Sequence, residues 1–151
     1  MIEISRATIE HLPELVPLFD QYRVFYEQES DEKAAEKFLK QRIEKDETVV
    51  FLARVNGKAA GFTQLFTTFS SVSMQPMYVL NDLYVNVEFR KLGVGQLLLK
   101  KAKEHCLEKG YKGLALETAT DNPAQKLYER LNWKKDTHCF HYFWTAAKEA
   151  S

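Results

Sequence analysis

The sequence predicts a single α/β domain with a mixed central sheet flanked by helices, and three features carry that expectation. Asn56-Gly57 lies between two apolar runs and is a tight-hairpin signal, which demands antiparallel neighbours. The passage from Met77 to Thr118 reads strand, long helix, strand, which demands a parallel pair joined by a right-handed crossover. The 151 residues suit one compact unit spanning 1–151. No internal repeat, low-complexity stretch or linker divides them.

Each element has its own local signal. Ile2 and Ile4 alternate with polar neighbours, as in a short first strand. Thr8 can cap a helix that carries Leu12, Leu15, Val16, Leu18 and Phe19 at helical spacing, with Tyr22, Phe25 and Tyr26 extending the stripe. From Asp31 to Lys45 the chain is charged and carries Ala34, Phe38 and Ile43, the pattern of a more exposed second helix. Thr48 to Val55 is a strand, and the next begins near Ala59, runs through Phe62, Leu65 and Phe66, and loses its pattern in Ser70-Ser71-Val72-Ser73. Met77 to Val85 is too apolar to face water on either side. Gly93 to Lys109 reads as a helix with Leu98, Leu99, Ala102 and Cys106 inward, stopped by Gly110. Leu114 and Leu116 lie in a strand reaching Glu117-Thr118. Asn122-Pro123 is a cap-plus-first-position pair for a helix carrying Ala124, Leu127, Tyr128 and Leu131. A last strand is expected from Cys139 to Trp144.

Composition removes several classes of function. Apolar residues make up 45% of the chain and aromatics 13%, enough to fill a core. Lys plus Arg and Asp plus Glu balance at 21 each, so no chain-wide field draws the protein to nucleic acid or to a membrane. No apolar run approaches the ~18 residues of a membrane span. The first residues, Met1 to Arg6, lack the features of a secretory signal. Cys106 and Cys139 fit neither a disulfide framework nor a metal-ligand spacing, and the four histidines (His11, His105, His138, His141) show no ligand spacing. The expectation is a cytoplasmic protein without a metal.

The segment Arg90-Lys91-Leu92-Gly93-Val94-Gly95-Gln96 joins a buried strand to the start of a long helix. Unpaired N–H groups and the positive end of the helix dipole make such a junction an anion site. Glycines 93 and 95 remove Cβ atoms that would hold a pyrophosphate away, and Arg90 and Lys91 add positive charge. A tight entry turn would use the same two glycines. The pattern is not a P-loop, since no Gly-Lys-Ser/Thr comes after it, and a third glycine is missing for the dinucleotide fingerprint.

With Asp121-Asn122-Pro123-Ala124-Gln125-Lys126-Leu127-Tyr128, this loop resembles the GNAT superfamily of N-acetyltransferases. In that family an Arg/Gln-x-x-Gly-x-Gly/Ala loop opens the helix after a central strand, and an Asn-x-x-Ala-x-x-Leu-Tyr type of helix comes one strand later. The matching residues here are Arg90, Gly93 and Gly95, then Asn122, Gln125, Leu127 and Tyr128. The likeness extends over nearly the whole chain, from Ile4-Ser5-Arg6-Ala7-Thr8 through Gly57-Lys58-Ala59-Ala60-Gly61-Phe62. It implies acetyl-CoA as cosubstrate and a splayed parallel strand pair admitting the pantetheine arm. It also places Leu83, Tyr84 and Val85 beside that arm and implies a homodimer.

Acyl transfer to an amine requires a base for the amine, donors for the carbonyl oxygen, and an acid for the departing thiolate. Backbone N–H groups near Leu83 to Val85 suit the second role. Tyr128, a phenol of pKa ~10, suits the third, although its place in an apolar helical stripe also fits simple packing. For the base, Asn81 and Asp82 interrupt an apolar strand. Relatives similar to the polyamine acetyltransferases have Glu-Asp here, so Asn81 removes the expected carboxylate. Asp82, then Glu117, then Glu27 acting through water are the substitutes; satisfying backbone donors in a loop is the alternative role for Asp82. Tyr22, Tyr26 and Glu27 stand where the resemblance puts an acceptor pocket, and Asn81 and Glu117 are expected there too. Phe66, Phe69 and Ser70 to Ser73 either join that pocket or form a surface strand end. The expected function is direct transfer of acetyl to a small or polyamine-like primary amine in a ternary complex. Acetylation of a protein lysine or N-terminus, and a non-catalytic CoA sensor, are the alternatives.

Overall fold

The structure is a computed structural model and describes residues 1–146. It divides into two compact units, Met1–Glu117 and the chain from Thr118 onward.

The first unit opens with β1 (Ile2–Arg6). Thr8 does act as a cap: its hydroxyl accepts from Glu10 N–H at 3.3 Å, while Thr8 N–H donates to His11 Nδ1 at 2.9 Å. That reciprocal cap closes a 3-10 turn, Ile9–His11, and the α-helix proper, α1, runs Leu12–Phe25 with Pro13 in its first turn, where a missing N–H costs nothing. Asp31 caps α2 (Glu32–Glu44) by accepting from Ala34 N–H at 3.1 Å. The buried residues of α2 are Ala35 and Leu39, with Ile43 packed against the same core, and the rest of the helix is the exposed one the sequence predicts.

β2 (Thr48–Val55) and β3 (Lys58–Ser70) form the expected hairpin. Asn56 and Gly57 turn it with φ of 50° and 83°, the positive pair that matches a tight turn to strand twist. β4 (Gln75–Val85) runs antiparallel to β3, then α3 (Val94–Lys109) crosses over to β5 (Leu114–Ala115), which is parallel to β4. The order across the five-stranded sheet is β1-β2-β3-β4-β5. Gly110, at φ 70°, ends α3 as expected.

Both faces of this sheet are covered, which is why β2 is buried from Thr48 to Ala53. Successive strand residues point to opposite faces. Val50 and Leu52 join Leu15, Phe19 and Leu39 in a cluster with α1 and α2. Phe51, between them, packs on His105 of α3 with ring centroids 5.5 Å apart. One bulge matters for function. Gln64 pairs with Asp82, but Leu65 pairs with Leu80, so Asn81 is an extra residue in β4. An inserted residue reverses the facing of every position beyond it. Tyr78 and Leu80 therefore face α3, where Tyr78 Oη meets His105 Nε2 at 3.1 Å. Asp82 and Tyr84 face α1, where Tyr84 Oη donates to Gln21 Oε1 at 3.3 Å.

β5 is shorter than predicted. It pairs with β4 only at Tyr78–Leu114 and Val79–Ala115, and the chain leaves the ladder before Glu117. Among the described residues, no strand pairs with that edge of β4 from Leu80 to Val85. This is the expected parting of the parallel strands.

In the second unit, α4 spans Ala124–Arg130. Asn122 Oδ1 accepts from Ala124 N–H at 2.9 Å, so the Asn122 side chain caps the helix start, and Pro123 stands at the cap position immediately before Ala124, one place earlier than predicted. The predicted final strand is not there: Cys139 to Trp144 is irregular, and Phe140, Tyr142, Phe143 and Trp144 are exposed. Its aromatic composition favours a strand, but that propensity acts through pairing, and no ladder among the described residues includes this segment. No helix among the described residues is long and apolar enough to cross a membrane.

Candidate active site

The bulge at Asn81 aims Asp82 into a cavity of about 410 Å³, within the usual range of ~300–1,000 Å³ for small-molecule pockets. Phe19, Tyr22 and Arg23 of α1 line it, with Ala34, Ala35 and Phe38 of α2, Gln64 and Phe66 of β3, and Asn81 and Asp82 of β4. Four of its ten lining residues are aromatic. Phe19 stacks on Phe38 at 5.8 Å, and Tyr22 lies edge-on to Phe62 at 5.8 Å.

Asp82 is 3% exposed and is held by side-chain amides on two sides. Asn81 Nδ2 donates to its Oδ1 at 2.9 Å, and Gln64 Nε2 donates to its Oδ2. Gln64, 1% exposed, accepts from Thr48 Oγ1 at 2.7 Å. An ionised carboxylate only accepts, so Gln64 presents its N–H to Asp82 and its Oε1 to the Thr48 hydroxyl. Burial pushes the Asp82 carboxyl above the usual carboxylate range, opposed by hydrogen bonds from Gln64, Tyr22 and Asn81 that favour the charged form. A carboxylate so placed is a stronger base than an exposed one and remains able to accept a proton from a ligand in the cavity.

Of the residues expected to meet an acceptor, Tyr22, Asn81 and Asp82 come together here. Tyr22 Oη also donates to Asn81 O at 3.3 Å. Tyr26 and Glu27 do not line the cavity: Tyr26 closes α1 and packs edge-on to Tyr22 at 5.0 Å, and Glu27 lies in the next turn at φ 64°. Glu117 is exposed beyond β5. Phe66 lines the cavity, whereas Phe69 is 75% exposed on the projecting end of the hairpin. Phe19, Arg23, Ala34, Ala35, Phe38 and Gln64 were not anticipated as site residues. Gln64 did leave a signal, a polar residue in step with Phe62 and Phe66 on a buried strand face.

The loop from Arg90 to Gln96 has the geometry of an anion site. Lys91 and Gly93 adopt positive φ (66° and 87°), turning the chain so that Val94, Gly95 and Gln96 form the first turn of α3, Leu92 being exposed before it. Their N–H groups are those that an α-helix leaves without internal acceptors. Arg90 Nε donates to Val85 O at 2.9 Å, and its guanidinium lies 5.9 Å from the Tyr84 ring, which ties the loop to the end of β4 at Leu83, Tyr84 and Val85, paired on one side with β3. The open strand edge and this loop are what an extended arm ending in a pyrophosphate needs, so these residues fit CoA. Among the described residues there is no group of three or more His, Cys, Asp or Glu placed to hold a metal ion.

In the second unit Tyr128 is half-buried, its ring 5.9 Å from that of Trp133, and its carbonyl accepts from Trp133 N–H at 3.0 Å. Gln125 Nε2 donates to Thr120 O at 2.5 Å and Asn122 O at 3.2 Å, so this side chain braces the loop before its own helix.

A sequence profile described as the acetyltransferase (GNAT) family matches residues 13–133. An uncharacterized N-acetyltransferase of Bacillus subtilis, YhfO, is 45% identical over 142 residues, covering 93% of this chain and 95% of the relative. The crystal structure of a probable acetyltransferase matches with a TM-score of 0.91 and 37% identity, over 97% of this chain and 99% of that one. An aminoglycoside N-acetyltransferase in complex with CoA shares the fold at a TM-score of 0.79 and 21% identity, over 95% of this chain and 94% of that one.

Proposed function

Because the chain belongs to the GNAT family of acetyltransferases and is an N-acetyltransferase that uses acetyl-CoA, we propose that its acceptor is a primary amine on a small molecule, bound in the cavity beneath α1 and α2. One observation carries this reading: a 410 Å³ cavity of small-molecule size with the buried carboxylate of Asp82 in its lining. On this reading residues 1–151 act as one N-acetyltransferase domain.

An aliphatic amine has a pKa of ~10 and arrives protonated, so it must lose a proton before it can attack. Asp82 takes that proton. Its raised pKa narrows the gap between donor and acceptor, and the amides of Gln64 and Asn81 hold it in place. The bulge thus restores to the cavity the carboxylate that Asn81 lacks, which argues against a sensor that has lost its base. Acetyl-CoA supplies an acetyl group activated as a thioester, which the amine takes directly in a ternary complex. The first-turn N–H groups of Val94, Gly95 and Gln96, with Arg90, Lys91 and the Gly93 turn, hold the pyrophosphate; the unpaired edge at Leu83 to Val85 lies along the pantetheine arm and offers N–H groups to the carbonyl oxygen. Asn122 and Gln125 order the loop entering α4. The Tyr128 hydroxyl gives its proton to the departing sulfur. Tyr22 orients the amine beside Asp82, with Tyr26, Glu27 and Glu117 nearer the periphery.

The test is thiol release from acetyl-CoA across a panel of small amines, polyamines, amino acids, aminoglycosides and short peptides. Turnover of at least one small amine is expected, lost in Asp82→Asn. Turnover confined to peptides would overturn the small-acceptor reading, and binding of acetyl-CoA without turnover of any amine would favour the sensor.

A further inference from the structure

The cavity holds two formally charged side chains of opposite sign, and the proposed reaction uses only one. Among its lining residues these are Asp82, on the sheet, and Arg23, on the last full turn of α1. Arg23 is half-buried and anchored to the backbone, Nη1 donating to Glu29 O at 3.1 Å. The carboxylate one turn back attracts it without forming an ion pair within 4 Å. Asp20 instead accepts from Ser30 Oγ at 2.6 Å and Asp31 N–H at 2.7 Å. The ion pairs within 4 Å among the described residues are Arg42–Glu47 and Arg54–Glu14, and neither involves Arg23. A cation in the last turn suits the helix dipole. That accounts for a positive residue near this position, but not for one in the lining of a ligand-sized cavity whose other charged residue is Asp82.

Resting on the reading of this cavity as the acceptor pocket, we propose that Arg23 is a carboxylate-binding subsite, and that the acceptor is an amino acid-like molecule with its reactive amine toward Asp82 and a carboxylate toward Arg23. A guanidinium presents paired N–H donors matched to a carboxylate and cannot lose its charge at physiological pH. A polyamine fits worse, because its distal ammonium would face Arg23 with like charge and no second carboxylate lines the cavity. The small-acceptor class is thereby narrowed away from the polyamine-like end.

Three acceptors of matched shape test this: 6-aminohexanoate, hexylamine and 1,6-diaminohexane, with the 4- and 5-carbon homologues of each to allow for chain length. With the wild-type protein, the carboxylate member of the best-fitting set should exceed the other two in kcat/KM by about tenfold or more, the size of one charge-assisted hydrogen bond. Arg23→Gln should erase that preference, chiefly through KM, and Arg23→Lys should restore part of it; thermal melts of both variants check folding. Equal use of the three, a preference for the diamine, or a carboxylate preference that survives in folded Arg23→Gln would each overturn the subsite. If instead no set is acetylated, or Asp82→Asn leaves turnover untouched, the acceptor-pocket reading fails and the subsite with it.

Discussion

Asp82 combines properties that compete. Burial disfavours its charge, yet the amides of Gln64 and Asn81 and the Tyr22 hydroxyl favour it. Stability and activity should therefore separate in Asp82→Asn. Loss of the base should lower kcat/KM by about 10²–10⁴-fold. For stability the folded pKa lies above the unfolded value, so between the two the native state holds more protons and stability falls as pH rises through that window. The Asn variant escapes this cost. Its melting temperature should exceed the wild-type value at neutral pH, with the difference vanishing below the unfolded pKa of ~4. Lower thermal stability of the variant at pH 7 would show that the hydrogen bonds outweigh desolvation. Thr48 acts one bond further out, by orienting Gln64. Thr48→Val should weaken the Gln64 bond to Asp82, raise the pKa of the base and move the acid limb of the pH–kcat/KM profile to higher pH, and Thr48→Ser should return it. A uniform loss of activity at all pH values would instead mean a packing role.

Strands β3 and β4 are pressed together at the C-terminal end of β4. A Cβ on Gly61 would stand 2.6 Å from the Tyr84 carbonyl oxygen, and neither backbone can yield without disturbing the ladder that continues to Val85. Gly61→Ala should destabilise the fold by ~1–3 kcal/mol, seen as a lower urea midpoint at unchanged m-value. Gly93 is a different case. Nothing lies within 4 Å of a Cβ there, but its φ is 87°. Gly93→Ala should thus cost ~1–2 kcal/mol of backbone strain rather than a clash. CoA affinity by calorimetry should fall, and retained affinity would show that this turn does not shape the phosphate site.

The proposed base and acid belong to different compact units, Asp82 to Met1–Glu117 and Tyr128 to the chain beyond. Their substitutions should accordingly leave different signatures. Tyr128→Phe should reduce kcat while preserving CoA binding, and should abolish the basic limb of the pH–rate profile rather than the acid limb touched at Asp82. Unchanged turnover would remove the phenol from the mechanism. The balanced charge of the chain, 21 of each sign, concentrates electrostatics in local features such as the Arg90–Gln96 loop and the Arg23–Asp82 cavity.

Signals confined to neighbouring residues are legible in the sequence. Asn56-Gly57 specified its hairpin, Gly110 its helix end, and Asn122-Pro123 its cap, because each depends on dihedral preferences and hydrogen bonds within a few residues. The crossover from β4 through α3 to β5 is equally plain. Pairing between distant strands is not. The apolar run Cys139–Trp144 reads as a strand but finds no ladder among the described residues, and the burial of Ala35 and Leu39 on α2 is decided by packing against α1 and β2. Above all, nothing local to Asn81-Asp82 announces a bulge. It arises from register against β3, and it alone turns Asp82 away from α3 toward Gln64, Tyr22 and the cavity. The residue types declare the chemistry available; the register between strands, a property of long-range packing, selects which carboxylate reaches the pocket.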